Sequence, residues 1–168
     1  MQEMYKVLIL CTGNSARSIM AEAILNELGE GRFKAFSAGS HPTGLINPAA
    51  LRQLRHAGHE VDGLRSKSWD EFAGADAPQM NIVITVCDSA ANESCPLWHG
   101  APVAAHWGMP DPAAVTGSAA DVETAFRHAY AVIRHRVRQL IDLPLANLKR
   151  PELERQLAAI AVSAPDRR

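Results

Sequence analysis

Cysteine is scarce in this chain. There are three in 168 residues, an odd number. That excludes a disulfide framework as the source of stability. It points to reactive or plainly buried thiols in a reducing compartment. Surplus positive charge is missing too. Lys and Arg number 17 against 18 Asp and Glu, for a net charge of -1. Gripping nucleic acid through its phosphates takes a surplus of Lys and Arg, so nucleic acid is not the expected partner. No apolar run is long enough to span a bilayer, and the early run over residues 7–11 is far too short. The N-terminus lacks the charged start, apolar stretch and small-residue cleavage site of a signal peptide. These absences predict a cytoplasmic, monomeric protein with no membrane partner.

What is present suits one globular unit. Hydrophobic residues make up 47% and charged residues 21%, an ordinary soluble composition. A chain this long buries about 70% of its unfolded surface, enough for a core without staples. We expect a single domain over residues 1–168, with a helical extension from about residue 145.

Residues 5–10 form a short apolar run rich in strand formers, and 11–16 break it with turn residues. From Arg17, Ile19, Met20, Ala23, Ile24 and Leu28 recur at helical spacing until Gly29 and Gly31. Residues 33–37 read as a second strand. Strand, helix, strand in this order is a βαβ unit with parallel pairing. Asn47-Pro48 opens a helix that Gly58 closes. Ser68 caps a short helix through Phe72. Residues 80–86 are apolar almost throughout, as in a central parallel strand covered on both faces. Residues 88–101 read as loop and 103–107 as a fourth strand. A long helix runs from about 119 to 143, and a last one over 151–162. The order predicts an α/β protein with a four-stranded parallel sheet flanked by helices in three layers.

The string Cys11-Thr12-Gly13-Asn14-Ser15-Ala16-Arg17-Ser18 sits where the first strand hands over to the first helix. Small residues let successive backbone N–H groups turn inward as a nest. The helix aims its positive end at the same point. Arg17 adds a bidentate clamp for two oxyanion oxygens. Such a field favours the Cys11 thiolate over the thiol. Ser18 can donate to that sulfur, and Asn14 can brace the loop through its side chain.

This string resembles the phosphate-binding loop of the low-molecular-weight protein tyrosine phosphatase superfamily. Ser37-Ala38-Gly39 and Asn47-Pro48 resemble it too. The resemblance implies a nucleophilic Cys11, an anion-binding Arg17 and a general acid in an Asp-Pro pair. Asp111-Pro112 supplies that pair, although Asp-Pro alone is a common turn. A departing oxyanion needs such a proton. Some relatives bind a potassium ion beneath the loop through oxygen ligands, and Asn14, Glu22 and Ser37 match part of that pattern. Glu22 is equally readable as a helix-surface carboxylate.

The cysteines choose among the relatives. A phosphatase needs only Cys11, Arg17 and Asp111, whereas an arsenate reductase must move two electrons and needs further thiols. Cys87 ends the third strand, on the rim that carries Cys11. Cys95 follows in the next loop. Taken singly, Cys87 is as readable as a small core residue and Cys95 as an incidental one. Together they resemble the thioredoxin-coupled arsenate reductases of the superfamily, which act in arsenic detoxification. That implies arsenate as substrate, phosphate as its analogue, and no tightly bound cofactor. The final reductant would be thioredoxin, or glutathione with glutaredoxin. The alternatives are a tyrosine phosphatase and an oxyanion or arsenite sensor without turnover. Low aromatic content, 5%, and Ala113-Ala114 after the Asp-Pro pair argue against a phosphotyrosine site. The seven histidines show no familiar metal spacing. Arg134, Arg136 and Arg138 fall largely outside the long helix's apolar stripe, so a solvated face is expected.

Overall fold

The computed structural model describes residues 4–88, 98 and 100–165. Four parallel strands form the sheet, in the order β2-β1-β3-β4. They are β1 (Tyr5–Cys11), β2 (Phe33–Gly39), β3 (Ile82–Thr85) and β4 (Val103–His106). β1 pairs with β2 from Tyr5 opposite Phe33 to Cys11 opposite Gly39. On its other edge it pairs with β3 from Val7 to Leu10. Val7 to Cys11 are therefore buried on both faces, as a central parallel strand requires.

Among the described residues, four α-helices flank the sheet: α1 (Arg17–Leu28), α2 (Pro48–His56), α3 (Ala119–Ile141) and α4 (Arg150–Ala161). Local chemistry sets their ends. Asn47 Oδ1 accepts from the Ala49 N–H at 2.9 Å, and Pro48 starts α2. Ser118 and Asp121 form a reciprocal capping box at the start of α3. α3 stops at Ile141, two residues before the expected end. Pro144 disfavours helical backbone at Leu143, so the last turn cannot form. β3 is shorter than the apolar run 80–86. Met80 and Val86 are buried but lie outside the strand, Val86 still donating its N–H to the Leu10 carbonyl at 2.9 Å. The run reports burial on both sides rather than strand length.

The two faces of the sheet are unequal. The larger core joins Val7, Ile9 and Ile84 to side chains of all four helices, including Ile24, Leu54, Phe126, Leu140 and Leu157. Each fully buried aliphatic side chain contributes about 1.5–3 kcal/mol. The smaller core holds Leu8, Leu10, Ala38, Phe72, Met80 and Val83, with Phe36, Trp69 and Trp98 packed against it. α4 frames β4. Arg150 donates to the Ala101 and Pro102 carbonyls before the strand, and the Trp107 indole N–H donates to the Leu157 carbonyl after it. Among the described residues, no helix is long and apolar enough to cross a membrane.

One expectation is overturned. Arg136 is not on a solvated face but 8% exposed. Its guanidinium donates to the Trp107 and Gly108 carbonyls at 3.1 and 3.2 Å and to the Ser163 carbonyl at 3.3 Å. Its position looks polar on a helical wheel because the groove it fills is lined with main-chain oxygens, which no apolar stripe reveals.

Candidate active site

β1 ends at Cys11 and α1 begins at Arg17, so the residues between make one tight loop at the C-terminal edge of the sheet. No side chain caps α1, and its first turn holds no acidic residue. The turn's N–H groups and the helix dipole therefore face the loop uncompensated by protein charge.

Asn14 is the keystone of this loop. It is a non-glycine residue with φ of 46°, a left-handed conformation that costs on the order of 1 kcal/mol. Its fully buried side chain holds it there. Nδ2 donates to Ser18 Oγ at 2.8 Å and to Ser37 Oγ at 3.0 Å. Oδ1 accepts from the Lys67 N–H at 2.9 Å. The bracing role expected for Asn14 is present, with side chains as well as backbone as partners. Ser18 is fully buried, and accepting from Asn14 leaves its own hydroxyl hydrogen to donate.

Gly39 lets β2 pass close behind the loop. A Cβ there would lie 2.4 Å from the Thr12 carbonyl oxygen and 2.9 Å from that of Cys11. Gly13, inside the loop, is less constrained. A Cβ there would meet the Thr43 methyl at 3.4 Å, an ordinary contact.

Cys11 and Cys87 are both buried thiols, and their side chains share a hydrogen bond. The Thr12 N–H also donates to Cys87 Sγ at 3.3 Å, with the Thr12 hydroxyl at 3.5 Å from the same sulfur. This contact reverses the thiolate expectation. The hydrogen bond with Cys87 raises the Cys11 pKa well above the ordinary thiol range, and burial adds to the rise. Arg17 and the Gly13 N–H pull the other way without prevailing. The helix end and the arginine are legible in the sequence, but not the Cys87 sulfur that meets Cys11 across the sheet. Cys95 lies outside the described residues, as do most of residues 88–101.

Arg17 is 12% exposed at its side chain and faces the loop that carries Asp111. Its guanidinium lies 3.7 Å from Asp111 Oδ2 and donates to the Met109 carbonyl at 2.9 Å. Asp111 Oδ1 accepts from the Ala113 N–H at 2.9 Å, which turns the chain into the short 3-10 turn Pro112–Ala114. Asp111 is half exposed, so the pair with Arg17 is screened and orients more than it stabilises. Beside them, His106 bridges Thr85 Oγ1 and Asp88 Oδ1 at 2.7 and 2.8 Å. The structure thus brings Cys11, Arg17, Cys87 and Asp111 to one rim.

Beneath the loop, Glu22 is buried rather than on the helix surface. Ser37 Oγ donates to Glu22 Oε1 at 2.8 Å. Asn14, Glu22 and Ser37 therefore meet, as expected. They meet around a residue that sequence reading missed. Lys67, itself 9% exposed, brings Nζ to 3.6 Å from Glu22 Oε1 and donates to the Arg65 carbonyl at 2.9 Å. Burial pulls its pKa down, and Glu22 opposes that fall. A lysine so far along the chain from Asn14 carries no local signal.

Comparison with known proteins follows the same lines. The family model of low molecular weight phosphotyrosine protein phosphatases matches residues 6–156. The chain is 30% identical over 136 residues to an arsenate reductase of Bacillus subtilis, covering 81% of this chain and 94% of that one. It is 32% identical over 136 residues to an arsenate reductase of Bacillus licheniformis, with the same coverage. Among solved structures, an arsenate reductase in the phosphate binding state superposes with a TM-score of 0.67 at 28% identity. That match covers 82% of this chain and 97% of the other.

Proposed function

We propose that this chain, which belongs to the low molecular weight phosphotyrosine protein phosphatase family and is an arsenate reductase within it, draws two electrons per turnover from an external dithiol and passes them through Cys95, Cys87 and Cys11 to arsenate. What supports the relay is that the Cys87 sulfur reaches the oxyanion loop itself, accepting at 3.3 Å from the N–H of Thr12, the residue next to Cys11. A phosphatase cycle has no use for a second thiol there.

Arsenate enters the loop with its oxygens toward the loop amides and Arg17. Cys11 attacks arsenic, forming an S–As bond, as its thiol proton passes to the Asp111 carboxylate. Asp111 hands that proton to the departing As–OH oxygen, the As–O bond breaks, and the oxygen leaves as water. Cys87, as thiolate, attacks Cys11 Sγ. The S–S bond forms, the S–As bond breaks, and its electron pair stays on arsenic. As(V) becomes As(III) and two thiols become one disulfide. Cys95 then attacks Cys87 Sγ and releases Cys11 as thiolate. The Cys87–Cys95 disulfide is reduced by thioredoxin, with glutathione and glutaredoxin as the second candidate. A disulfide needs Cα atoms within about 7 Å, so the segment between Cys87 and Cys95 must reach that approach during the cycle.

Potassium is the one cofactor that the resemblance implies. The residues in this chain fit it poorly. Asn14 Oδ1 already accepts from Lys67, the Ser37 hydroxyl points at Glu22, and the Lys67 ammonium supplies the positive charge. A second cation beside that ammonium would be repelled. No step here is routed through one.

The deciding assay is arsenate-dependent NADPH oxidation, with thioredoxin and thioredoxin reductase in one arm and glutathione with glutaredoxin in the other. Turnover with thioredoxin alone is expected. Turnover with glutaredoxin alone changes only the last step. No turnover in either arm, together with aryl phosphate hydrolysis, would overturn the relay.

A further inference from the structure

A buried arginine whose partners are all main-chain carbonyls is an uncommon expense in a fold. Burial of a charge destabilises it unless something compensates. Burial lowers the pKa of Arg136, and the carbonyls that receive its protons belong to Trp107, Gly108 and Ser163. The first two lie in the segment that leads from β4 to Asp111. The third lies just past the end of α4.

The next carbonyl in that segment, Met109, accepts from Arg17. Three successive carbonyls, at 107, 108 and 109, are therefore held by two arginines. One belongs to the oxyanion loop and the other to α3. The Trp107 indole N–H adds a bond to Leu157 of α4. The path from the held carbonyls to Asp111 is two residues long and contains Pro110, whose ring fixes one backbone angle. Little freedom is left between the grip and the carboxylate.

We propose that Arg136 is a positioning residue for Asp111, and that the α4 arm it ties in is a working part of the active site. Arg136 touches neither substrate nor sulfur. It sets where the acid stands relative to Arg17 and the departing oxygen. The inference rests on the assignment of Asp111 as the acid. A carboxylate displaced by about 1 Å costs on the order of a hundredfold in rate, so a partial loosening should cost about tenfold.

The test is a double-mutant cycle on the full chain. Asp111→Asn, Arg136→Lys, Arg136→Met and the pairs with Asp111→Asn are assayed for arsenate reduction with excess dithiothreitol as reductant. Asp111→Asn should lower kcat by about a hundredfold. Arg136→Lys should lower kcat by about tenfold and leave KM for arsenate within twofold. Arg136→Met should cost more than Arg136→Lys. In the Asp111→Asn background neither Arg136 change should lower kcat further. Trp107→Phe keeps the ring in the core and deletes one donor. It serves as the second probe if the Arg136 variants fail to fold, with a smaller loss that also vanishes in the Asp111→Asn background. Losses that multiply in the double variants would show that Arg136 acts by another route and overturn the proposal. So would unchanged kcat in both Arg136→Lys and Trp107→Phe. An unaffected Asp111→Asn enzyme would instead overturn the acid assignment, a failure read from the single variant alone.

Discussion

The cradle around Cys11 and the loop that carries Asp111 share one rim and are held in opposite ways. The cradle's reactive residues come from one stretch, residues 11–18, and its braces reach in from Ser37, Gly39 and Lys67. Asn14 braces against Ser18 and Ser37, Gly39 passes behind, and α1 begins where the loop ends. The acid loop has almost no local support beyond the Asp111–Ala113 turn. It hangs on Arg17, on Arg136, and on Trp107 bonded to Leu157. A motif read along the chain captures the first kind of site. The second kind is assembled from segments far apart in sequence.

The contrast can be broken most severely at Gly39. Gly39→Ala drives a methyl into the Thr12 and Cys11 carbonyls, both backbone, so the loop must move. We expect arsenate kcat/KM to fall by about a hundredfold or more. Gly13→Ala, inside the motif itself, should cost less than about fivefold, because its added methyl meets only ordinary contact. Equal losses at the two glycines would contradict this ordering.

Next in size is Lys67→Met. It leaves Glu22, 9% exposed, as a buried carboxylate without its cation. Breaking such a pair costs about 3–5 kcal/mol, and at roughly 2–4 °C per kcal/mol for a chain this size the Tm should fall by about 6–20 °C. Thermal unfolding followed by circular dichroism checks it. In the same variant added potassium should raise Tm. In the unaltered protein, replacing potassium with tetramethylammonium should change neither Tm nor activity. A potassium-dependent Tm in the unaltered chain would sink the reading of Lys67 as the resident cation.

Cys87→Ala sharpens the comparison at the sulfurs. The contact with Cys87 is the largest cause of the raised Cys11 pKa. Deleting it lowers that pKa, so at a fixed pH near neutrality a larger fraction of Cys11 is thiolate. Alkylation of Cys11 by iodoacetamide, followed against pH, should show its midpoint shifted to lower pH. An unchanged midpoint would mean that burial alone keeps the thiol protonated. The smallest effect is expected on the fold. Cys11→Ser should abolish turnover and move Tm by no more than about 2 °C.

The fold was largely legible in the sequence. Apolar runs at 5–10 and 80–86 mark the central strands because parallel strands are buried on both sides. Caps at Asn47 and Ser68 mark helix starts because their side chains satisfy orphan N–H groups. Cys11, Arg17, Cys87 and Asp111 were legible because short motifs name them and strand ends share a rim. Lys67 and Arg136 were not legible. Each is a buried cation whose partners lie elsewhere in the chain, and local pattern assigns a lone basic residue to the surface. The protonation of Cys11 was misjudged for the same reason. The helix end and Arg17 are visible next to it, whereas Cys87 Sγ arrives through the sheet.

The central claim is that arsenate oxidises this chain's own thiols in a fixed order. The direct measurement is disulfide mapping by mass spectrometry after mixing the reduced protein with arsenate and no external reductant. The account predicts a Cys87–Cys95 disulfide in the unaltered chain and a Cys11–Cys87 disulfide in Cys95→Ser, with one arsenite released per protein in each. Fully reduced cysteines after arsenate treatment, or a disulfide that forms equally without arsenate, would contradict it.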